Sequence, residues 1–286
     1  MKKHLIRFDW AIKRLLRNKA NFGILEGFLS ELLGEDIKIE NLLESESNKQ
    51  TAGNKMNQVD LLVKNTKGEL VIIEVQSNYS HDYLMRILFG VSKLIVDNMV
   101  KGMEYRSVKK IISVNIVYFD LGHGADYIYH GTTKYVGIHN NDILSLSTQE
   151  QIIFSAEHIE QIYPEFYIIK VNNFDNIAQN TLDEWINFLK TEEVKQGTKA
   201  KGLEAAKEGL NMLKLSKEDM LDYERDEAIW RDYASGMSTN FLAGKLEGIG
   251  EGKIEMAKRC LAEGMSIATT AKLTGLTEDE VRRIKL

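Results

Sequence analysis

The sequence predicts an α/β fold: an αβββαβ core with a mixed sheet, followed by an all-helical C-terminal appendage. Three observations carry this. Residues 58 to 76 hold two strand-like runs joined by Asn65-Thr66-Lys67-Gly68, in which Val59, Leu61 and Val63 alternate with Asp60, Leu62 and Lys64 before the β-branched Leu70-Val71-Ile72-Ile73; this reads as a β-hairpin. An amphipathic pattern over residues 81 to 100 then leads into residues 111 to 119, whose length and β-branching mark a central strand, and a strand-helix-strand passage favours a parallel neighbour. From residue 191 onward the strand signal nearly ceases, and Lys/Glu pairs at helical spacing take over.

Taken in order, Phe8, Ile12, Leu15 and Leu16 make the apolar face of a first helix, and Lys13, Arg14, Arg17 and Lys19 its basic face. A second helix follows Asn21, with Phe22, Leu25, Phe28, Leu29, Leu32 and Leu33 at helical spacing, Glu26 at the edge of that face and Gly34 as its stop. Residues 37 to 40 suggest a strand, and the polar, aperiodic residues 44 to 57 an exposed loop. After the hairpin, the helix over 81 to 100 is expected to turn Leu84, Ile87, Leu88, Val91, Leu94, Ile95 and Met99 inward and Asp82, Arg86, Lys93 and Asp97 mostly outward. Residues 130 to 138 and 166 to 171 read as further strands, with a helix over 148 to 162 between them. Thr181 as N-cap and Glu184 three residues later read as a capping box opening a helix that closes the domain.

The hairpin sets the chemistry. With Thr66-Lys67-Gly68 as a three-residue loop and Gly68 at positive φ, Asn65 faces Glu69, and counting back brings Asp60 opposite Glu74. Opposed carboxylates on one face stand with Cβ atoms about 4.5–5.5 Å apart and repel. A divalent cation with hard-oxygen preference, such as Mg²⁺, offsets that repulsion. Gln76, two residues on, points the same way as Glu74. The competing reading places both acids on the solvent side of a half-exposed hairpin, and a one-residue slip would part them.

Composition narrows the classes. The chain has 286 residues, 43% of them hydrophobic and 28% charged, and a net charge of −5, so nucleic-acid binding must come from local patches. One cysteine, Cys260, supports neither an internal disulfide nor a thiolate zinc cluster, and the six histidines show no metal-binding spacing. No apolar run reaches membrane-spanning length and no signal peptide is visible, so a cytoplasmic protein with no membrane partner is expected.

Together these residues resemble the PD-(D/E)xK nuclease superfamily and, more narrowly, its recombination-promoting nuclease and putative transposase (Rpn) family. The resemblance rests on Phe8-Asp9-Trp10-Ala11-Ile12-Lys13, Val59-Asp60-Leu61-Leu62-Val63, Ile73-Glu74-Val75-Gln76, Arg86, Lys101-Gly102 with Tyr105, and Tyr163-Pro164-Glu165-Phe166-Tyr167, in that order. It implies a restriction-endonuclease-like core over residues 1–190 and a metal-dependent DNA endonuclease. Asp60, Glu74 and the Val75 carbonyl are then ligands of Mg²⁺, for which Mn²⁺ substitutes, and Gln76 a catalytic polar group. Asp9, Lys13, Glu26 and Arg86 become accessory residues, and Arg14, Arg17 and Lys19 contacts to DNA. Gln76 stands where many members of the superfamily carry lysine. The alternative function is a DNA-binding or oligomeric structural protein that keeps the fold without turnover.

Residues 191–253 are expected to form a Gly/Lys/Glu-rich helical linker, frayed or hinged by glycines 236, 244, 248, 250 and 252. Residues 254–286 read as a small helix-turn-helix-like unit, whose second helix opens on Glu278, Asp279 and Glu280 and so disfavours phosphate. Self-association through these helices is the other use of the tail.

Overall fold

A computed structural model describes residues 8–17, 22–43, 60–215 and 217–284. The chain folds as two compact units, Met1–Ser216 and Lys217–Leu286. In the first, strands β1 (Ile39–Leu43), β2 (Leu61–Asn65), β3 (Leu70–Gln76), β4 (Ile111–Val117), β5 (Ile128–Gly131) and β6 (Glu165–Lys170) form one sheet in the order β1-β2-β3-β4-β6-β5. The β1-β2, β2-β3 and β5-β6 pairs are antiparallel, and β3-β4 and β4-β6 parallel. The mixed sheet and the parallel neighbour expected after the helix are both present. β4 is buried along its whole length, including the polar Ser113 and Asn115 that interrupt its β-branched run.

The turn before β3 fixes the register. Gly68 takes φ +83°, where a side chain would be strained. Its N–H donates to the Asn65 carbonyl at 2.9 Å, and the Asn65 side chain accepts from the backbone N–H groups of Lys67 and Glu69. The strands therefore pair Lys64 with Leu70 and Leu61 with Ile73.

One face of the sheet packs on α3 (Tyr83–Asp97), where Leu62, Leu70, Ile72 and Ile111 surround Val91. α3 differs from expectation: Leu84 and Leu88 are each 52% exposed, while Tyr83 is buried and Arg86 half-buried. The buried stripe is rotated by the need to bring Tyr83 and Val91 down onto the sheet. α1 (Phe8–Arg17), α2 (Phe22–Leu33) and α5 (Thr181–Thr191) supply the rest of the core, with Ile12, Leu15, Leu25, Phe28, Trp185 and Phe188 nearly or fully buried. The N-cap of α5 is Asn180 rather than Thr181: its side chain accepts from the Asp183 N–H at 2.9 Å. Glu184 instead accepts from the N–H groups of Lys199 and Ala200, tying the next segment down.

That segment leads into α6 (Leu203–Leu215), which packs on α1 and α2 through buried Leu203, Ala206 and Leu210. The first unit thus runs past residue 190, because α1 and α2 need α6 to cover their remaining apolar surface. Strand structure after β4 is also shorter than expected: β5 ends at Gly131, only an isolated bridge joins Val136 to Ile143, and the helix α4 (Thr148–Phe154) stops well before residue 162.

In the second unit, α7 (Lys217–Ala262) is one 46-residue helix that runs through its interior glycines. At each of these a Cβ would meet open space among the described residues, so no close approach there requires a glycine. α8 (Ile267–Thr274) and α9 (Glu278–Arg283) fold back on its end around Ala257, Cys260, Ala271 and Val281. Gly275 caps α8 at φ +67°, and a Thr277/Glu280 capping box opens α9. No described helix is long and apolar enough to cross a membrane.

Candidate active site

The site lies at the end of the β2-β3 pair remote from the turn. Continuing the observed register by one residue sets Asp60, just before β2, across from Glu74. An Asp60 carboxylate oxygen accepts the Val75 N–H at 2.7 Å and pairs with the Lys13 ammonium of α1 at 3.0 Å. In an antiparallel ladder a residue's N–H and C=O turn to the same neighbour. The Val75 carbonyl therefore looks out on the Asp60 edge. Glu74 meets Arg86 of α3 at 3.6 Å, and the Gln76 amide donates to the same Glu74 oxygen at 3.2 Å.

The electrostatics are unbalanced. Only 12% of the Glu74 side-chain surface is exposed. Burial first, then the charge of Asp60, push its carboxyl up to about 7, against the pull of Arg86, Gln76 and Lys13. Burial and the Asp60 charge together thus outweigh the two nearby cations. Among the described residues there is no group of three or more His, Cys, Asp or Glu able to hold a metal. The available donors are two carboxylates and one backbone carbonyl, all hard oxygens, which suits an ion such as Mg²⁺ that keeps several waters.

Of the residues read from the sequence, the structure brings Asp60, Glu74, Val75, Gln76, Lys13 and Arg86 together. Glu26 is elsewhere: its carboxylate accepts the Ile39 N–H at 2.9 Å and pairs with Lys38 at 3.3 Å. Ile39 aligns with Asn65, at the turn end of β2, so Glu26 anchors α2 to β1. Arg14 is exposed on α1 beside Lys13. Asp9 and Arg17 lie on α1 with side chains outside the described set, and Lys19 lies outside the described residues.

Two residues of the site escaped the sequence reading. Asn115 of β4 aligns with Glu74 across the parallel pair and is fully buried, its amide donating to Ser113 Oγ at 3.0 Å and to the Tyr167 carbonyl at 3.2 Å. Tyr83 points its hydroxyl at Asn115 (3.5 Å). Burial, and then the neighbouring Glu74 charge, hold that phenol well above its usual range. An asparagine in the middle of a β-branched run was the available signal, since a buried amide needs partners.

Compared with known proteins, residues 6–240 match a family model described as PD-(D/E)XK nuclease family transposase. Comparison with curated proteins gives no match, and comparison with solved structures gives none either.

Proposed function

The chain belongs to the PD-(D/E)XK nuclease family transposases, and from that membership we propose that it is a metal-dependent DNA endonuclease, with Asp60, Glu74 and the Val75 carbonyl holding Mg²⁺ or Mn²⁺. The observation that carries this is the opposed, largely buried Asp60–Glu74 pair, whose burial and mutual charge Lys13 and Arg86 only partly offset. When bound there, the ion supplies Lewis-acid polarisation of a phosphoryl oxygen and a water that is nucleophilic at neutral pH.

The chain's own residues do the rest. Arg86 and Lys13 place positive charge beside the carboxylates, where a phosphodiester approaches, and stabilise charge developing on its oxygens. Gln76, with its amide nitrogen donating to Glu74, presents its carboxamide oxygen as an acceptor that orients a water proton. Asn115 and Tyr83 keep the floor of the site in one arrangement.

Purified protein should nick supercoiled plasmid with Mg²⁺ or Mn²⁺ and lose that activity in EDTA. Plasmid bound in a salt-sensitive way but left intact under all three conditions would favour the DNA-binding alternative without turnover.

A further inference from the structure

Directly after Gln76, the loop over residues 77–82 leaves the carboxylate end of β3 and carries aromatic rings to the surface. Tyr79 is 50% exposed. Its ring stands edge-to-face with His81 (centroids 4.9 Å apart, 84° between planes) and with Phe119 at the end of β4 (5.6 Å, 83°). Phe119 in turn meets Tyr83 at 5.4 Å and 86°, so a continuous set of rings leads from solvent to the Asn115–Glu74 row. The loop is pinned at several points. Tyr79 Oη lies 3.3 Å from His81 Nδ1, Ser80 donates to Asp82, the Tyr83 N–H reaches the Ser80 carbonyl at 3.3 Å, and the Arg86 N–H reaches the Asp82 carbonyl at 2.9 Å.

An exposed tyrosine is ordinary by itself. An exposed ring fixed by two other rings, next to a phosphodiester-cleaving site, is a surface already ordered for stacking, and order established before binding lowers the entropy cost of binding. Charge tells which part of a nucleotide it receives. Asp82 and Asp120 border the cluster, Asp120 paired with buried Lys170 at 3.0 Å, while Lys13 and Arg86 lie on the carboxylate side. Asp120 is neutralised by that pair, so it is the Lys13 and Arg86 charges that attract a sugar-phosphate backbone to the carboxylate side. A phosphate at the carboxylates therefore leaves its base over the rings. Paired bases keep their faces inside the stack, so only an unpaired base can present one.

We infer that Tyr79, backed by His81 and Phe119, stacks an unpaired nucleobase beside the scissile phosphate, and that single-stranded or locally unpaired DNA is the preferred substrate. This rests on the nuclease reading above.

The test uses the full chain in EDTA, so that no cleavage intervenes, and follows fluorescence anisotropy of labelled (dT)20 and of a 20-base-pair duplex. Wild type is expected to bind the single strand about tenfold or more tightly than the duplex, and Tyr79→Leu to lose roughly tenfold of single-strand affinity, the scale of one lost stack. Tyr79→Phe, which keeps the ring, is expected to retain wild-type affinity. Equal single-strand affinity of Tyr79→Leu and wild type, or a wild type that prefers the duplex, overturns the inference. Plasmid nicking with Mg²⁺ is measured alongside. Nicking without a Tyr79 effect overturns the stacking role alone; a Tyr79 effect without nicking supports it while the nuclease reading fails; the absence of both DNA binding and nicking overturns both.

Discussion

Asp60→Ala and Glu74→Ala should each lower metal-dependent nicking roughly a thousandfold or more, to background, because each loses metal-based stabilisation worth on the order of 4 kcal/mol. The loss should not come from unfolding. Asp60 sits just outside β2, and removing either carboxylate relieves the repulsion between them. Gln76→Ala should keep measurable cutting, since it removes one polar contact worth about 1–3 kcal/mol. Gln76→Lys should be tolerated or faster: an ammonium reaches Glu74 as the carboxamide does at 3.2 Å and adds positive charge where the proposed substrate phosphate would approach. Nicking of plasmid by purified variants, each shown by circular dichroism to be folded, ranks the four. A folded Asp60→Ala that cuts at the wild-type rate would contradict the assigned site.

Gly27→Ala should strongly destabilise the first unit. Gly27 is buried in α2, where a Cβ would stand 2.2 Å from the Lys201 carbonyl oxygen and 2.6 Å from its carbon. Backbone cannot yield as a side-chain tip does, so α2 and the segment entering α6 must separate. Overpacking typically costs about 1–3 kcal/mol, and a clash with backbone belongs at the upper end, which is a fall in Tm of roughly 6–12 °C for a unit of this size. Gly23→Ala, four residues earlier on the same helix with open space at its Cβ, is the control and should leave Tm unchanged or slightly raised. Thermal melts of the two variants settle the matter. The same packing predicts that a chain ending at residue 190, which strips Leu203, Ala206 and Leu210 from α1 and α2, folds poorly, whereas one ending at Ser216 folds.

The geometry of the candidate site was legible in the sequence to the extent that it depends on local rules. A glycine at positive φ sets the Asn65–Glu69 turn, the turn sets the register, and the register sets Asp60 opposite Glu74. Other features depend on what the rest of the chain places nearby. Lys13 and Arg86 are solvated charges by periodicity alone, and only packing of α1 and α3 turns them onto Asp60 and Glu74. Glu26 fell near an apolar face in the sequence, but its carboxylate is used by the Ile39 N–H. The cap of α5 moved by one residue because Asn180 accepts the Asp183 N–H while Glu184 is drawn away to residues 199 and 200. The 46-residue span of α7 was broken by its glycines in a reading from propensity, since each costs only about 0.5–1 kcal/mol against a long cooperative run.

The proposed ion site depends on a buried Asp60–Glu74 pair that Lys13 and Arg86 do not fully offset, and thermal melting tests it most directly. Glu74 has its folded pKa raised from 4.5 to about 7. Between those values the native state holds a proton that the unfolded state has lost, so stability falls as pH rises through this window and the full penalty stands above it. A shift of this size is on the order of 3 kcal/mol. In EDTA at pH 8, Glu74→Gln should therefore melt several degrees above wild type and lose that advantage at pH 4. Adding Mg²⁺ at pH 8 should raise the wild type and leave Glu74→Gln nearly unmoved. If wild type and Glu74→Gln melt together in EDTA at pH 8 and shift equally with Mg²⁺, the carboxylate pair is neither strained by its charge nor the seat of the ion.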